Sequence, residues 1–86
     1  MPGRFSIFVG VEPYEVMQVL ESKRRRPQPL VGPRGLTYLA IYGRARSGRA
    51  LVVIIRRIEN LEWTIVAARE MTDNEIASDE QWEGQR

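Results

Sequence analysis

Cysteine and histidine are both missing from this 86-residue sequence. Without cysteine there is no disulfide framework and no thiolate nucleophile. Without histidine the commonest general base and the commonest metal ligand are lost, so Ser/His/Asp and Cys/His catalytic arrangements are excluded. Only carboxylates would remain to hold a metal ion, and we therefore predict no metal site and no cofactor.

The sequence also lacks long apolar runs and a nucleotide-binding glycine loop. Its longest apolar run, Ala50–Ile55, is far shorter than the roughly 20 residues that a membrane-spanning helix needs. The N-terminal stretch is too short and too interrupted for a signal peptide, so we expect a cytoplasmic protein with no membrane partner. The glycines of Gly32–Gly35 do not lead into a helix, which argues against a P-loop.

Lysine is nearly absent, because twelve of the thirteen basic residues are arginine. Residues 23–69 hold eleven basic and two acidic side chains, whereas residues 70–86 hold six acidic side chains and one arginine. Arginine suits bidentate contacts with phosphate or carboxylate groups. The basic middle is therefore either a surface for RNA phosphates or an ordinary solvated surface.

The length and composition indicate one globular domain. Apolar residues make up 43% of the chain and charged residues 28%, which is an ordinary balance for a folded protein. A chain of 86 residues is long enough for one domain and too short for two. We predict a single domain over residues 1–86, with frayed ends at 1–4 and 84–86.

The first half of the chain predicts a helix over residues 12–22. Pro13 suits the first helical position, and Glu15 then falls where the carboxylate of a capping box lies. The apolar face that we expect to be buried is formed by Val16, Val19 and Leu20. We expect short strands before and after this helix, at Phe5–Val9 and Leu30–Val31.

The second half predicts three consecutive strands at 36–44, 49–57 and 62–69, joined by short connections. The middle strand is apolar on both faces, as a central strand covered on both sides would be. Turn residues lie at Ala45–Gly48 and at Glu59–Asn60. Strands joined by such short links form an antiparallel meander.

The last segment predicts a second helix that starts at Thr72. Thr72 and Glu75 form a capping box, and Met71 and Ile76 have the spacing of a hydrophobic staple. We expect Ile76 and Trp82 to pack either on a second copy of the chain, as a homodimer, or on the domain's own sheet. The predicted class is α+β, an antiparallel β-meander of three to four strands with one helix on its N-terminal side and one at the C-terminus.

The predicted meander brings several arginines to one end of the sheet. Neighbouring antiparallel strands place Arg69 beside the hairpin that joins residues 44 and 49. Such a group could bind RNA phosphates and stack a base. The residues at this end would be Arg44, Arg46, Arg49 and Arg69, with Tyr42 close by.

The order of these elements and four of their motifs resemble the BrnT-type toxins of the RelE superfamily. The motifs are Gly10–Val16 leading into the first helix, Gly43–Arg44, Gly48–Val53, and the Ala-Arg-x-x-Thr-x-x-Glu pattern within Ala68–Glu75. The resemblance covers roughly residues 10 to 80. It implies a RelE/BrnT-like fold and a small ribonuclease that arrests translation and is neutralised by a cognate antitoxin.

The resemblance also implies site residues, with Arg69 matching a strand-end arginine and Glu75 a helix-start glutamate. Cleavage without metal, in which the ribose 2′-hydroxyl attacks its own phosphate, needs cations on the developing charge and a base. The cations would be Arg69, Arg49 and Arg44, and the base would be Glu70, Glu75 or Tyr42. We predict Arg69, Arg49 and Glu75 as catalytic residues and Arg44, Arg46 and Tyr42 as RNA-binding residues.

Departures from the family pattern support an alternative function. The family's Lys-His-Gly-like N-terminal stretch has no counterpart in Met1–Val9, its usual tyrosine after the glutamate is Asp79 here, and the closing helix is acidic. The alternative is a non-catalytic protein- or RNA-binding module that keeps the fold without the chemistry. A small homo-oligomeric protein with neither role is a third hypothesis.

Overall fold

A computed structural model describes residues 7–58 and 62–84 of the chain. Its elements are β1 (Ile7–Val9), α1 (Pro13–Glu21), β2 (Arg26–Val31), a 3₁₀ turn (Pro33–Gly35), β3 (Thr37–Arg44), β4 (Ala50–Arg57), β5 (Trp63–Glu70) and α2 (Asp73–Gly84). The predicted frayed ends at 1–4 and 85–86, the start of the strand predicted at Phe5–Val9 and the turn at Glu59–Asn60 lie outside the described residues. Gly84, which we expected to fray, is the last residue of α2.

The five strands form one mixed sheet in the order β1-β5-β4-β3-β2. Strands β2 to β5 pair antiparallel with their sequence neighbours, and the three strands predicted in the second half each lie within one residue of their predicted bounds. The α+β class is confirmed. The prediction of an antiparallel sheet of three to four strands is corrected, because β1 adds a fifth strand that runs parallel to β5.

Strand β1 pairs with the strand farthest from it in sequence. Its residues Ile7, Phe8 and Val9 lie opposite Ala67, Ala68 and Arg69. Phe8 is partly buried and packs against the core cluster that α1 covers. Partial burial of this aromatic side chain stabilises the pairing, which no local sequence pattern could reveal.

Strand β2 is longer than the predicted Leu30–Val31 because it runs through two prolines at an edge of the sheet. Pro27 and Pro29 are two residues apart, so their backbone nitrogens point the same way. The amide of Gly32 donates to the carbonyl of Leu36. By alternation, the backbone N–H groups of the even-numbered residues of β2 also point toward β3. The prolines therefore face the free edge, where a missing N–H costs no ladder hydrogen bond.

The face of the sheet under α1 carries the larger apolar core, and we call it the α1 face. Val16 and Val19 of α1 are buried there, as predicted, and Leu20 is partly buried. They pack against the fully buried Leu51 and Val53 of β4. The central strand is thus covered on this side by an apolar helix stripe.

The opposite face, which we call the α2 face, has a smaller core. Its buried residues are Ala40, Ala50, Val52 and Met71, with Tyr42, Ile54 and Ile76 partly buried around them. Ile76 thus packs on the domain's own sheet, as one of the two predicted alternatives had it. Because α2 offers few apolar side chains, polar contacts must hold much of it in place.

A β-bulge in β5 decides which face each of its later side chains meets. Ile55 of β4 lies opposite Ile65, but the preceding Ile54 lies opposite Ala67, so Val66 is left as the extra residue. Ile65 and Ala68 consequently pack on the same α1 face although they are three residues apart. The same shift turns Arg69, which lies opposite Val52, to the α2 face.

Candidate functional site

The structure brings two of the three predicted catalytic residues together. The guanidinium of Arg69 binds the carboxylate of Glu75 in a bidentate pair, with N–O distances of 2.7 and 2.8 Å. Arg69 lies on the α2 face of the sheet, and Glu75 lies in the first turn of α2. Arg49 lies at the same end of the sheet but its guanidinium binds Glu15 at the start of α1, so the predicted trio does not form one site.

The Arg69–Glu75 pair is stabilised further by the start of α2. The amide of Thr72 donates to the Glu75 carboxylate at 2.8 Å, and the amide of Glu75 donates to the Thr72 hydroxyl at 3.2 Å, which is the predicted capping box. The hydrogen bonds from Arg69 are the main reason that the pKa of Glu75 falls to about 2. The same bonds raise the pKa of Arg69. Both groups are therefore charged and mutually neutralised at pH 7.

Arg49 forms a separate junction where three parts of the chain meet. It donates to both oxygens of Glu15 at 2.8 and 2.9 Å, to the carbonyl of Gly10 at 2.7 Å, and through Nε to Glu70 at 3.1 Å. The Glu15 side chain is 5% exposed, and it also accepts from the amide of Glu12 in the predicted cap of α1. The bond to Glu70 is the main cause of a raised pKa at Arg49. Arg49 thus ties α1 to the sheet.

An ion pair that the sequence did not predict holds the middle of α2. The Nε of Arg26 donates to the Oδ1 of Asp79 at 3.1 Å, and the Asp79 side chain is fully buried. Its Oδ2 has no hydrogen-bond partner among the described residues. The guanidinium carbon of Arg26 lies 4.5 Å from the ring centre of Tyr42 and 5.9 Å from that of Trp82. Arg26 therefore joins β2, β3 and α2 at one point.

These residues form one row across the α2 face. The strand register places Arg26 opposite Tyr42, Tyr42 opposite Val52, and Val52 opposite Arg69. The predicted proximity of Tyr42 to Arg69 follows from this row. No local pattern could have identified Arg26, because its partner Asp79 lies 53 residues away in sequence.

The remaining predicted residues, Arg44 and Arg46, lie at the hairpin between β3 and β4. Arg44 donates to the carbonyl of Gly48 at 3.0 Å and makes a longer contact of 3.4 Å with Glu80 of α2. The Arg46 side chain is exposed, and its backbone amide donates to the side chain of Gln18 at 2.9 Å. The hairpin is thereby anchored on α1 while the Arg46 guanidinium stays in solvent.

The loop between α1 and β2 brings further cations to the same end. Lys23, Arg24 and Arg25 are exposed there. The Cα of Arg25 lies only 3.8 Å from where a side chain on Gly43 would begin, so the loop lies directly against β3. We call the resulting cluster, Lys23, Arg24, Arg25, Arg44 and Arg46, the basic end. The sequence showed the run at 23–26 as basic, but only the strand register brings it beside the hairpin.

A pocket of about 280 Å³ opens between the α2 face and the first turns of α2. Its lining residues are Arg26, Gln28, Tyr42, Asn74, Glu75 and Ser78. In residues 7–58 and 62–84, no three acidic side chains converge as metal ligands would. The same two segments contain no helix with the length and apolar character of a membrane span.

Comparison of the chain with known protein families, with curated proteins and with solved structures finds no match in any of the three. The resemblance to BrnT-type toxins therefore stays a prediction from four motifs and their order. What the chain can bind has to be argued from the geometry of the two helices, the sheet and the basic end.

The Arg26–Asp79 pair predicts a strongly asymmetric response to substitution. Arg26→Met should lower the free energy of unfolding by about 3 kcal/mol, because it leaves the Asp79 carboxylate buried without a partner. Combining it with Asp79→Leu should restore most of that loss, since an apolar pair needs no desolvation of charge. Urea unfolding followed by tryptophan fluorescence measures both effects.

The matched control for this series is Arg34→Met, because Arg34 is exposed in the 3₁₀ turn. It should change the free energy of unfolding by less than about 0.5 kcal/mol. A stable Arg26→Met variant, or a double variant as unstable as the single one, would show that the pair does not hold α2.

The low pKa of Glu75 predicts a pH-dependent contribution to stability. Its folded pKa of about 2 lies below the usual value of 4.5, so the ionised pair stabilises the fold above pH 4.5 and loses its effect as the pH falls toward 2. Glu75→Gln keeps a capping-box side chain but removes the charge. The substitution should lower the free energy of unfolding by about 1 kcal/mol at pH 7 and by progressively less below pH 4.5.

Thermal unfolding of the wild type and of Glu75→Gln between pH 2.5 and 7 checks this dependence. Glu21→Gln serves as the control, because Glu21 is exposed at the end of α1 and makes no ion pair within residues 7–58 and 62–84. Its difference from the wild type should stay small at every pH. A constant gap between Glu75→Gln and the wild type across the range would refute the assignment.

Proposed function

We propose that this chain is a non-catalytic RNA-binding module whose basic end holds the phosphates of a single strand. The observation that carries the proposal is the division of the arginines into two sets. Arg26, Arg49 and Arg69 are neutralised by carboxylates of the same chain. Within the basic end, Arg44 makes an ion pair of 3.4 Å with Glu80. The other four cations of the basic end make no ion pair with the described residues and are left for a partner.

The basic end has the properties of a phosphate-binding surface. The side chains of Lys23, Arg24 and Arg46 are exposed and make no ion pair with the residues that the structure describes, and the guanidinium of Arg25 donates to the carbonyl of Ser22 at 2.8 Å. These residues belong to the loop between α1 and β2 and to the hairpin between β3 and β4. The hairpin is anchored on α1 and the loop packs against Gly43 of β3, so the two segments lie side by side. Such a concentration of one charge lowers the free energy of a bound polyanion by releasing its counterions.

The geometry offers little to a chemical step. A general base works best when its pKa lies near the working pH, and Glu75 with a pKa of about 2 is a very weak base. The guanidinium of Arg69 is already occupied by both oxygens of that carboxylate. Arg49 is bound to Glu15 and Glu70 instead of facing Arg69. These pairings favour binding without cleavage.

A metal-independent ribonuclease toxin with a cognate antitoxin is the second candidate function. It is supported by the row of Arg26, Tyr42 and Arg69 beside the pocket, since an arginine and a tyrosine there could face a phosphate and a base. Its chemistry would require Arg69 to leave Glu75. Cleavage by the wild type in EDTA, abolished in a folded Arg69→Ala variant, would establish this function and overturn the non-catalytic proposal.

Binding of a fluorescent 12-nucleotide RNA at several salt concentrations tests the proposal directly. The slope of log K against log salt changes by about 0.7 for each phosphate contact of a single strand. Arg24→Gln should therefore reduce the slope by about 0.7. A triple variant with Lys23→Gln, Arg24→Gln and Arg46→Gln should reduce it by about 2.

The matched control is Arg34→Gln, which removes an exposed cation at the opposite end of β2. It should leave the slope nearly unchanged, and the RNA should stay intact throughout. Absence of binding at about 50 mM salt would refute RNA binding. Equal effects of Arg24→Gln and Arg34→Gln would show that attraction comes from net charge and not from the basic end.

A further inference from the structure

The pocket under α2 differs in character from the basic end beside it. Two of its lining residues are charged, but Arg26 is paired with Asp79 at 3.1 Å and Glu75 with Arg69 at 2.7 Å. The remaining lining residues, Gln28, Tyr42, Asn74 and Ser78, are uncharged and polar. The pocket therefore offers hydrogen bonds and an aromatic ring without net charge, whereas the basic end offers charge.

Several hydrogen-bonding groups of the pocket have no partner among the residues that the structure describes. Asn74 and Ser78 make no side-chain hydrogen bond in the described part of the chain, and both are exposed. Gln28 accepts through Oε1 from Arg26 at 3.3 Å, which leaves its NH₂ group as a donor. Two amides and a hydroxyl can thus pair with the edge of a ligand that carries both donors and acceptors.

The size and walls of the pocket limit what such a ligand can be. About 280 Å³ lies just below the range of roughly 300–1,000 Å³ typical of sites for drug-sized ligands, so one small ring system fits. Tyr42 supplies an aromatic wall, and the Arg26 guanidinium 4.5 Å from its ring holds that wall in place. Arg26, the cation in the pocket lining, is already paired with Asp79, so the pocket offers a phosphate little attraction. An uncharged planar heterocycle meets all of these conditions.

The pocket adjoins the basic end through the chain itself. Arg26 of the pocket follows Arg25 of the basic end, and Tyr42 of the pocket lies two residues before Arg44. We infer that the pocket receives one unpaired nucleobase of an RNA strand whose phosphates lie on the basic end. Gln28, Asn74 and Ser78 then select among bases by hydrogen bonds to the base edge. This inference rests on the proposed RNA binding.

Homopolymer RNAs separate base recognition from phosphate binding. Fluorescence anisotropy at 50 mM salt compares eight-nucleotide strands of A, C and U with an abasic strand of the same length. The wild type should prefer one base over the others by about tenfold, which is the scale of one good pair of base-edge hydrogen bonds. The abasic strand should bind more weakly than the preferred strand but keep the same salt dependence.

Substitutions then assign the preference to the pocket. Asn74→Ala and Gln28→Ala should each reduce the preference to about twofold or less while leaving the affinity for the abasic strand unchanged. The matched control is Gln81→Ala, which removes an exposed amide of α2 that does not line the pocket. It should keep the tenfold preference. Circular dichroism confirms that each variant retains the fold.

The outcomes distinguish the two proposals. Salt-dependent binding with equal affinity for all homopolymers would overturn the base pocket and leave the RNA-binding module intact. A base preference that Asn74→Ala and Gln28→Ala do not alter would place recognition elsewhere and also overturn the pocket. No binding of any strand would refute both proposals together.

Discussion

Pairing between sheet arginines and helix carboxylates is the interaction on which the arrangement of this domain depends. Arg49 fixes the start of α1 through Glu15, and Arg26 and Arg69 fix α2 through Asp79 and Glu75. α1 also buries an apolar face, but α2 contributes little more than Ile76 to its core cluster. Electrostatic contacts, which weaken with salt and with acid, therefore carry a larger share of the attachment of α2 than of α1.

This use of arginine explains why Arg26, Arg49 and Arg69 add little to the basic surface of the described part of the chain. The acidic C-terminal segment covers one face of the sheet and neutralises cations that would otherwise face solvent. The side chains of Lys23, Arg24 and Arg46 are not neutralised by the described part of this segment, because they lie on loops at the end of the sheet. The polyanion of our proposal would bind the charges at that end, beside a pocket whose charged lining residues are already paired. In the binding mode that we propose, phosphates and a base therefore occupy adjacent but chemically different surfaces.

The sequence predicted the features that depend on local chemistry. Both helix starts, the three strands of the second half and the location of Arg69 beside the hairpin follow from caps, alternation and short links. It could not predict the bulge at Val66, which turns Arg69 to the α2 face. Nor could it predict the pairing of β1 with β5 or of Arg26 with Asp79, because these partners are distant in sequence. The edge location of β2, which accommodates Pro27 and Pro29, becomes visible only once the sheet order is known.

Backbone amide chemical shifts during titration with the preferred single-stranded RNA test the central claim most directly. The account predicts that the perturbed residues are confined to residues 23–28, to residues 42–47 at the end of β3 and in the following hairpin, and to the first turns of α2. The 3₁₀ turn at Pro33–Gly35, at the far end of the sheet, should be unaffected even though Arg34 is exposed and basic. Perturbations spread evenly over all exposed arginines, or confined to the far end, would contradict a specific RNA surface at the basic end.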